Sequence, residues 1–220
     1  MCWPGEEKDI TEVSLCQSGK LRPGPTSSRW LSLTATHQVW PLATRFFWEA
    51  RIRLVRGIHL SVVDSYSGGV GPERVQLLSF LPLASTTDIP ELNKGTRHRY
   101  LTEAVWYLTT LLPRAGVRWR CISKHAALAT LRNHDLSVSL EFRFNSNGEV
   151  KGIYSPGRYG RFGNRYIQVP WEGHFSHYQT VHGLRIPMQG EADWYHEGKL
   201  ELVWQATIVR TEPGPQILRR

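Results

Sequence analysis

Hydrophobic and polar residues alternate at period two along much of this chain, the signature of strands with one buried face. From Phe46 to Leu54 the even positions carry Phe, Trp, Ala, Ile and Leu, while the odd positions include Glu49, Arg51 and Arg53. Ile58, Leu60 and Val62 alternate with His59 and Ser61. Leu136, Val138, Leu140, Phe142 and Phe144 alternate with Ser137, Ser139, Glu141 and Arg143. Leu200, Leu202, Trp204, Ala206 and Ile208 alternate with Lys199, Glu201 and Gln205. Weaker alternation predicts strands over residues 29–40, 73–81, 117–122, 126–131, 149–154, 165–170, 174–181, 184–187 and 190–195. Asn145-Ser146-Asn147-Gly148 and His182-Gly183 supply turn residues that tolerate positive φ. Short turns between consecutive strands imply antiparallel neighbours.

One segment has a different period. Asp88 can cap a helix with Pro90 in its first turn. The spacing predicts a helix from Ile89 to Leu112, ended by Pro113, with an apolar stripe of Leu101, Ala104, Val105, Leu108, Leu111 and Leu112. Gly95 weakens its first third. About ten strands with one apolar face expose more hydrophobic area than one helix covers, at roughly 25 cal/mol per Å² left wet. Curling the sheet around the helix reduces that exposure. The expected fold is therefore mainly β: a curved antiparallel sheet, a half-barrel or partly closed barrel, wrapped around one long α-helix. Such a curl leaves an internal cavity where a ligand can sit. Residues 1–28 read as a loosely ordered leader, 29–210 as a single β-rich domain and 211–220 as a C-terminal tail, because Glu212-Pro213-Gly214-Pro215 breaks structure.

Composition adds limits. Of the 220 residues, 40% are hydrophobic and 21% charged, which permits a packed core and argues against disorder. Nine Trp suit a broad core or a wide apolar pocket. The net charge of +8 allows an acidic partner, but the arginines are spread along the chain, which fits a solvated basic surface better than a nucleic-acid site. Three cysteines, Cys2, Cys16 and Cys121, at irregular spacing argue against a disulfide framework and for free thiols. No stretch approaches the length of a membrane span. Val13-Ser14-Leu15-Cys16 faintly resembles a lipoprotein cleavage box, but Glu6-Glu7-Lys8-Asp9 is charged where an apolar run is required. The reading is a cytoplasmic protein. There is no P-loop, G-x-S-x-G, G-x-G-x-x-G or H-E-x-x-H, and His174 and His177 fall on opposite faces of a strand. No cofactor and no metal site are expected.

Several short motifs point to a family. They are Phe47-Trp48-Glu49-Ala50, Val63-Asp64-Ser65-Tyr66 with Gly68-Gly69 and Gly71, and Arg99-Tyr100-Leu101-Thr102-Glu103-Ala104-Val105-Trp106. Further on come Phe142-Arg143-Phe144 before Gly148, Pro170-Trp171-Glu172-Gly173, Tyr178, and Gly183 to Trp194. Their order resembles a family of uncharacterised bacterial proteins, a domain of unknown function, over residues 13–210. The resemblance implies a fold similar to the half-barrel of lipoprotein-localisation carriers, which hold acyl chains on a concave apolar face. The chain departs from that pattern at Tyr107-Leu108 and at Leu202-Val203-Trp204.

Candidate site residues follow from conflicts between pattern and chemistry. Asp64 lies in register with Ile58, Leu60 and Val62, so its carboxylate points at the apolar face and needs a partner or a raised pKa. It is either a structural carboxylate or an acid, base or ligand anchor. Glu103 shares a helix face with Trp106; it either pairs with Arg99 on the wet side or joins Asp64 in acid–base work. Trp48, Trp106, Trp119 and Trp204 would line the concave face, and Tyr66 and Arg143 complete the candidate ligand-binding set. Gly157 to Arg165 interleaves arginine, glycine and aromatics, which suits a hairpin loop with exposed arginines or, less well, an RNA-binding segment. Three functions stay open: a binding protein for an apolar or amphipathic small molecule, an enzyme built on Asp64 and Glu103, and a basic-surface interaction module.

Overall fold

The computed structural model describes residues 10–133, 136–163 and 165–213. Its elements are β1 (Val13–Leu21), β2 (Leu31–Trp40), β3 (Arg45–Val55), β4 (Ile58–Tyr66), β5 (Glu73–Leu77), β6 (Leu81–Thr86), α1 (Pro90–Glu103), β7 (Val117–Ser123), β8 (Ala126–Asn133), β9 (Leu136–Phe144), β10 (Val150–Phe162), β11 (Arg165–Val181), β12 (Leu184–His196) and β13 (Lys199–Pro213). The strands form one antiparallel sheet in the order β6-β5-β4-β3-β2-β1-β13-β12-β11-β10-β9-β8-β7. Only the β1–β13 junction joins strands distant in sequence, and the sheet ends in two free edges, so the barrel is not closed.

The sheet is strongly curved. Helix α1 touches β4 as well as β9, β10 and β11. In a flat sheet, the eight strand spacings from β4 to β9 would separate these partners by roughly 38 Å. A 14-residue helix is only about 21 Å long. Both arms must therefore fold toward the helix. Strands of the two arms come together beside it, where Arg161 of β10 lies 3.8 Å from Glu73 of β5.

Period two works as expected in β2 and β3. Leu31, Leu33, Ala35, His37 and Val39 are buried while their neighbours are not, and Phe46, Trp48, Ala50 and Ile52 repeat the pattern. Tyr100 stacks on Phe46 at 6.4 Å and on Tyr66 at 6.4 Å. Trp106 is buried against the edge of Phe175, and its indole N–H donates to Pro187 O at 2.9 Å. The ring sits where Gly190 leaves room, since a Cβ there would lie 2.9 Å from Trp106 Cζ2.

Five expectations are corrected. Residues 13–21, placed in a leader, form β1, which lies between β2 and β13; residues 1–9 fall outside the described ones. Residues 73–81 are not one strand: Leu78 and Ser79 take positive φ and turn the chain into β6. The strand pairs expected at 165–170 with 174–181, and at 184–187 with 190–195, are the continuous β11 and β12. The helix ends at Glu103 and continues as 3-10 turns at Ala104–Trp106, Leu108–Leu111 and Pro113–Ala115. Tyr107 breaks it at φ −138°, and its hydroxyl turns back to donate to Tyr100 O at 2.6 Å, satisfying a terminal carbonyl. Asp88 is not the N-cap; Ile89 is, while the Asp88 carboxylate accepts from Asn93 Nδ2 at 3.1 Å.

Trp106→Ala should destabilise the fold by roughly 3–5 kcal/mol in urea titration. Gly190→Ala should also destabilise it, and combining the two changes should cost less than their sum, because the clash needs the ring. An additive result would show that Gly190 is required for another reason.

Candidate functional site

The concave face has two halves. One is roofed by α1 and the 3-10 turns over Val13, Val39, Phe46 and Tyr66. The other carries half-buried apolar side chains along an arc of strands: Leu60 and Val62 on β4, Leu54 on β3, Leu21 on β1, Trp204 on β13 and Trp194 on β12. Leu21 pairs with Trp204 across the β1–β13 junction. Asp64 stands where the halves meet, between Val62 and Tyr66 on the inward side of β4.

The helix supplies Asp64 with a partner. Arg99 NH1 donates to Asp64 Oδ2 at 2.6 Å, and Arg99 Nε donates to Glu103 Oε1 at 2.9 Å, one turn along α1. The Arg99 guanidinium also lies 4.4 Å from the Trp48 ring centroid. Burial works against the Arg99 charge, but Glu103 and Asp64 outweigh it and raise its pKa. Burial pushes the Asp64 carboxyl upward, while Arg99 pulls it back. Glu103 is paired with Arg99 as one reading held, yet inside rather than on the wet side: it is 8% exposed, and its Oε2 is 3.4 Å from His37 Nδ1. His37 is fully buried, and burial, reinforced by the Arg99 charge, holds its pKa well below the usual value. His98, on the same helix, is pulled down to about 3 by burial and then by Arg158.

A polar crevice of about 120 Å³ opens beside this triad, lined by Asp64, Glu73, Thr96, Arg99, Arg158 and Arg161 among others. Arg158 is the residue that the sequence reading missed. Its segment is only in part the expected run of exposed arginines: Arg161 and Arg165 are exposed, but residues 157–162 belong to β10, and a bulge between Ser155 and Arg158 turns Arg158 inward. Its guanidinium lies 4.5 Å from the Trp171 ring centroid and 5.6 Å from that of Trp194. Strict alternation from Ile153 and Ser155 would have turned Arg158 outward; the sequence marks of the bulge are Pro156 and Gly157, which fall between Ser155 and Arg158.

The remaining candidates divide. Trp48 and Tyr66 join the triad's surroundings: the Trp48 indole donates to Gln17 Oε1 at 2.9 Å, and Tyr66 OH accepts from Arg97 Nε at 2.7 Å. Trp106 is sealed in the roofed half and Trp204 lies in the open half. Trp119 sits on the edge strand β7, 38% exposed, bonded to Leu111 O and away from the triad. Arg143 lies on the opposite, convex face, where it pairs with Glu141 at 2.7 Å and Glu172 at 3.4 Å. His174 bridges Glu172 and Asp193 on that face. Among the described residues no group of His, Cys, Asp and Glu has the arrangement of a metal site. No described helix is long and apolar enough to cross a membrane.

The model of the family of unknown function DUF6920 matches residues 1–212, and the chain belongs to that family. No curated protein matches it. Among solved structures the chain is similar to a domain assigned to outer membrane lipoprotein-sorting proteins from Vibrio parahaemolyticus, at 7% identity and a TM-score of 0.50, covering 93% of this chain and 86% of that one. It is also similar to a DUF1329 family protein from Desulfovibrio piger, at 9% identity and a TM-score of 0.49, over 93% and 86% of the two chains. Such likeness is one of fold.

Asp64→Asn should destabilise the protein by about 3 kcal/mol, because it leaves the interior guanidinium with one carboxylate; an unchanged melting temperature would show that the pair contributes nothing. His98 gives a second test. Its folded pKa of about 3 lies below the unfolded value, so its contribution is complete above about pH 6.5 and is lost as pH falls toward 3. Near pH 5 the loss should be on the order of 2 kcal/mol. His98→Gln should flatten the slope of urea midpoint against pH between neutrality and pH 5.

Proposed function

We propose that this member of the family binds an amphipathic, lipid-like molecule, with its apolar part laid along the open half of the concave face. The observation that carries the reading is the arc of half-buried apolar side chains, Leu21, Leu54, Leu60, Val62, Trp194 and Trp204, which the short helix does not roof. An alkyl chain that buries about ten methylenes there gains on the order of 8 kcal/mol before association costs. The fold shared with a lipoprotein-sorting domain supports the same reading.

The rival carboxylate chemistry has less support. Asp64 and Glu103 share Arg99 as counterion, so neither presents a free acid or base to a reactant. A surface module built on the arginine-rich segment also loses ground, since Arg158 faces the interior and Arg161 faces Glu73.

Purified protein, equilibrated with a lipid extract and analysed by native mass spectrometry, should retain a chain-bearing molecule. Replacing both Leu60 and Val62 by Glu should weaken retention at least tenfold, because two carboxylates would then interrupt the arc. Retention that survives this change would place the ligand elsewhere, and no retained molecule at all would remove the reading.

A further inference from the structure

Resting on that reading, we infer that the bound amphiphile is an anion, its carboxylate or phosphate head group received by Arg158. Arg158 stands where two features meet. It lines the polar crevice, and it also stacks beside Trp194, the β12 member of the open apolar arc. A molecule lying along the arc would bring its polar end to this guanidinium.

Arg158 makes no close ion pair among the described residues, although Asp64 and Glu103 act on it at longer range. Asp64 and Glu103 are both engaged by Arg99. Glu73 faces Arg161 at 3.8 Å. Glu91, the remaining carboxylate on the crevice, forms no ion pair with Arg158. Arg158 Nε is buried and has no hydrogen-bond partner. The indoles of Trp171 and Trp194 offset part of the charge but take none of its N–H groups. Burial, with the Arg99 charge beside it, pulls the Arg158 pKa down to about 10, and the longer-range pull of Glu103 and Asp64 offsets only part of that. A planar guanidinium with free N–H groups matches the bidentate geometry of carboxylate and phosphate oxygens.

Size agrees with this division of labour. The crevice of about 120 Å³ has room for a head group, and its charged lining is an unfavourable place for an acyl chain. The chain must then lie on the open arc, where the apolar side chains are.

Four probes of equal chain length test the inference: oleate, oleyl phosphate, oleyl alcohol and oleylamine, titrated below micelle-forming concentrations against intrinsic tryptophan fluorescence. Oleate, oleyl phosphate or both should bind at least tenfold more tightly than the alcohol, and the amine more weakly still. The tighter of the two anions separates a fatty-acid ligand from a phospholipid-like one. Arg158→Gln should remove the preference and leave alcohol affinity within about twofold. Arg158→Met, which keeps an apolar stem on both indoles, guards against a folding defect in the Gln variant, and the wild-type comparison needs no variant. Equal affinity for anion and alcohol, or a preference that survives both variants, would overturn the head-group assignment while the binding function stands. Failure of all four probes would overturn both.

Discussion

An apolar face thirteen strands wide has to be hidden from water, and this chain has one short helix with which to hide it. The helix can roof only part of a flat sheet, so the arms bend toward it until β4 and β9 touch the same element. Everything else follows from that shortage of cover. The roofed half becomes an aromatic core in which Tyr100, Tyr107 and Trp106 each find a hydrogen-bond partner. The open half keeps large apolar side chains at intermediate exposure, packed against the edge of the core.

The same geometry explains why charges lie inside. A helix enclosed by a sheet has almost no wet face, and Asn93, Thr96, Arg97, His98, Thr102 and Glu103 of α1 are all buried. Such residues need partners in the sheet. Arg97 reaches Tyr66 and the carbonyl of Leu136, and Arg99 reaches Asp64. These bonds fix the rotation of the helix about its axis more sharply than apolar packing does, because a guanidinium displaced by one helical step would lose its carboxylate. Arg158 stands apart in this scheme: it comes from the sheet rather than from the helix, and it has neither the carboxylates of Arg99 nor the hydroxyl and carbonyl acceptors of Arg97.

How much of this was legible in the sequence depended on whether period two held. In β2, β3 and β9 it did, and the inward faces read directly. Asp64 was found because Ile58, Leu60 and Val62 precede it at period two in the sequence, although burial along β4 alternates less sharply. Bulges defeated the method elsewhere. In β13 a register shift opposite Ala192 and Asp193 reverses the faces, so Leu200, expected inward with Trp204, is 40% exposed. In β10 the shift near Pro156 brings Arg158 inside. The first strand was obscured by Gly19 and by its mixture of Ser, Gln and Lys. Its place is secured by cross-strand pairing at both edges, a long-range property that local pattern does not encode. The helix length was overread because apolar spacing continues past Glu103, while Tyr107 uses its hydroxyl to close the last turn.

The bulges also bear on function. A regular β10 would present Arg158 to solvent, where a guanidinium is stable and binds nothing in particular. The extra residue turns it into the interior at a cost in ladder bonds and desolvation. That cost is hard to reconcile with a purely structural role, since the side chain pairs with no carboxylate and leaves Nε without a partner. One of its two indole neighbours, Trp194, is itself a member of the open arc. A cation held this way gains most when an anion with an apolar tail arrives, because one molecule then supplies the missing charge and covers the exposed hydrophobic surface together.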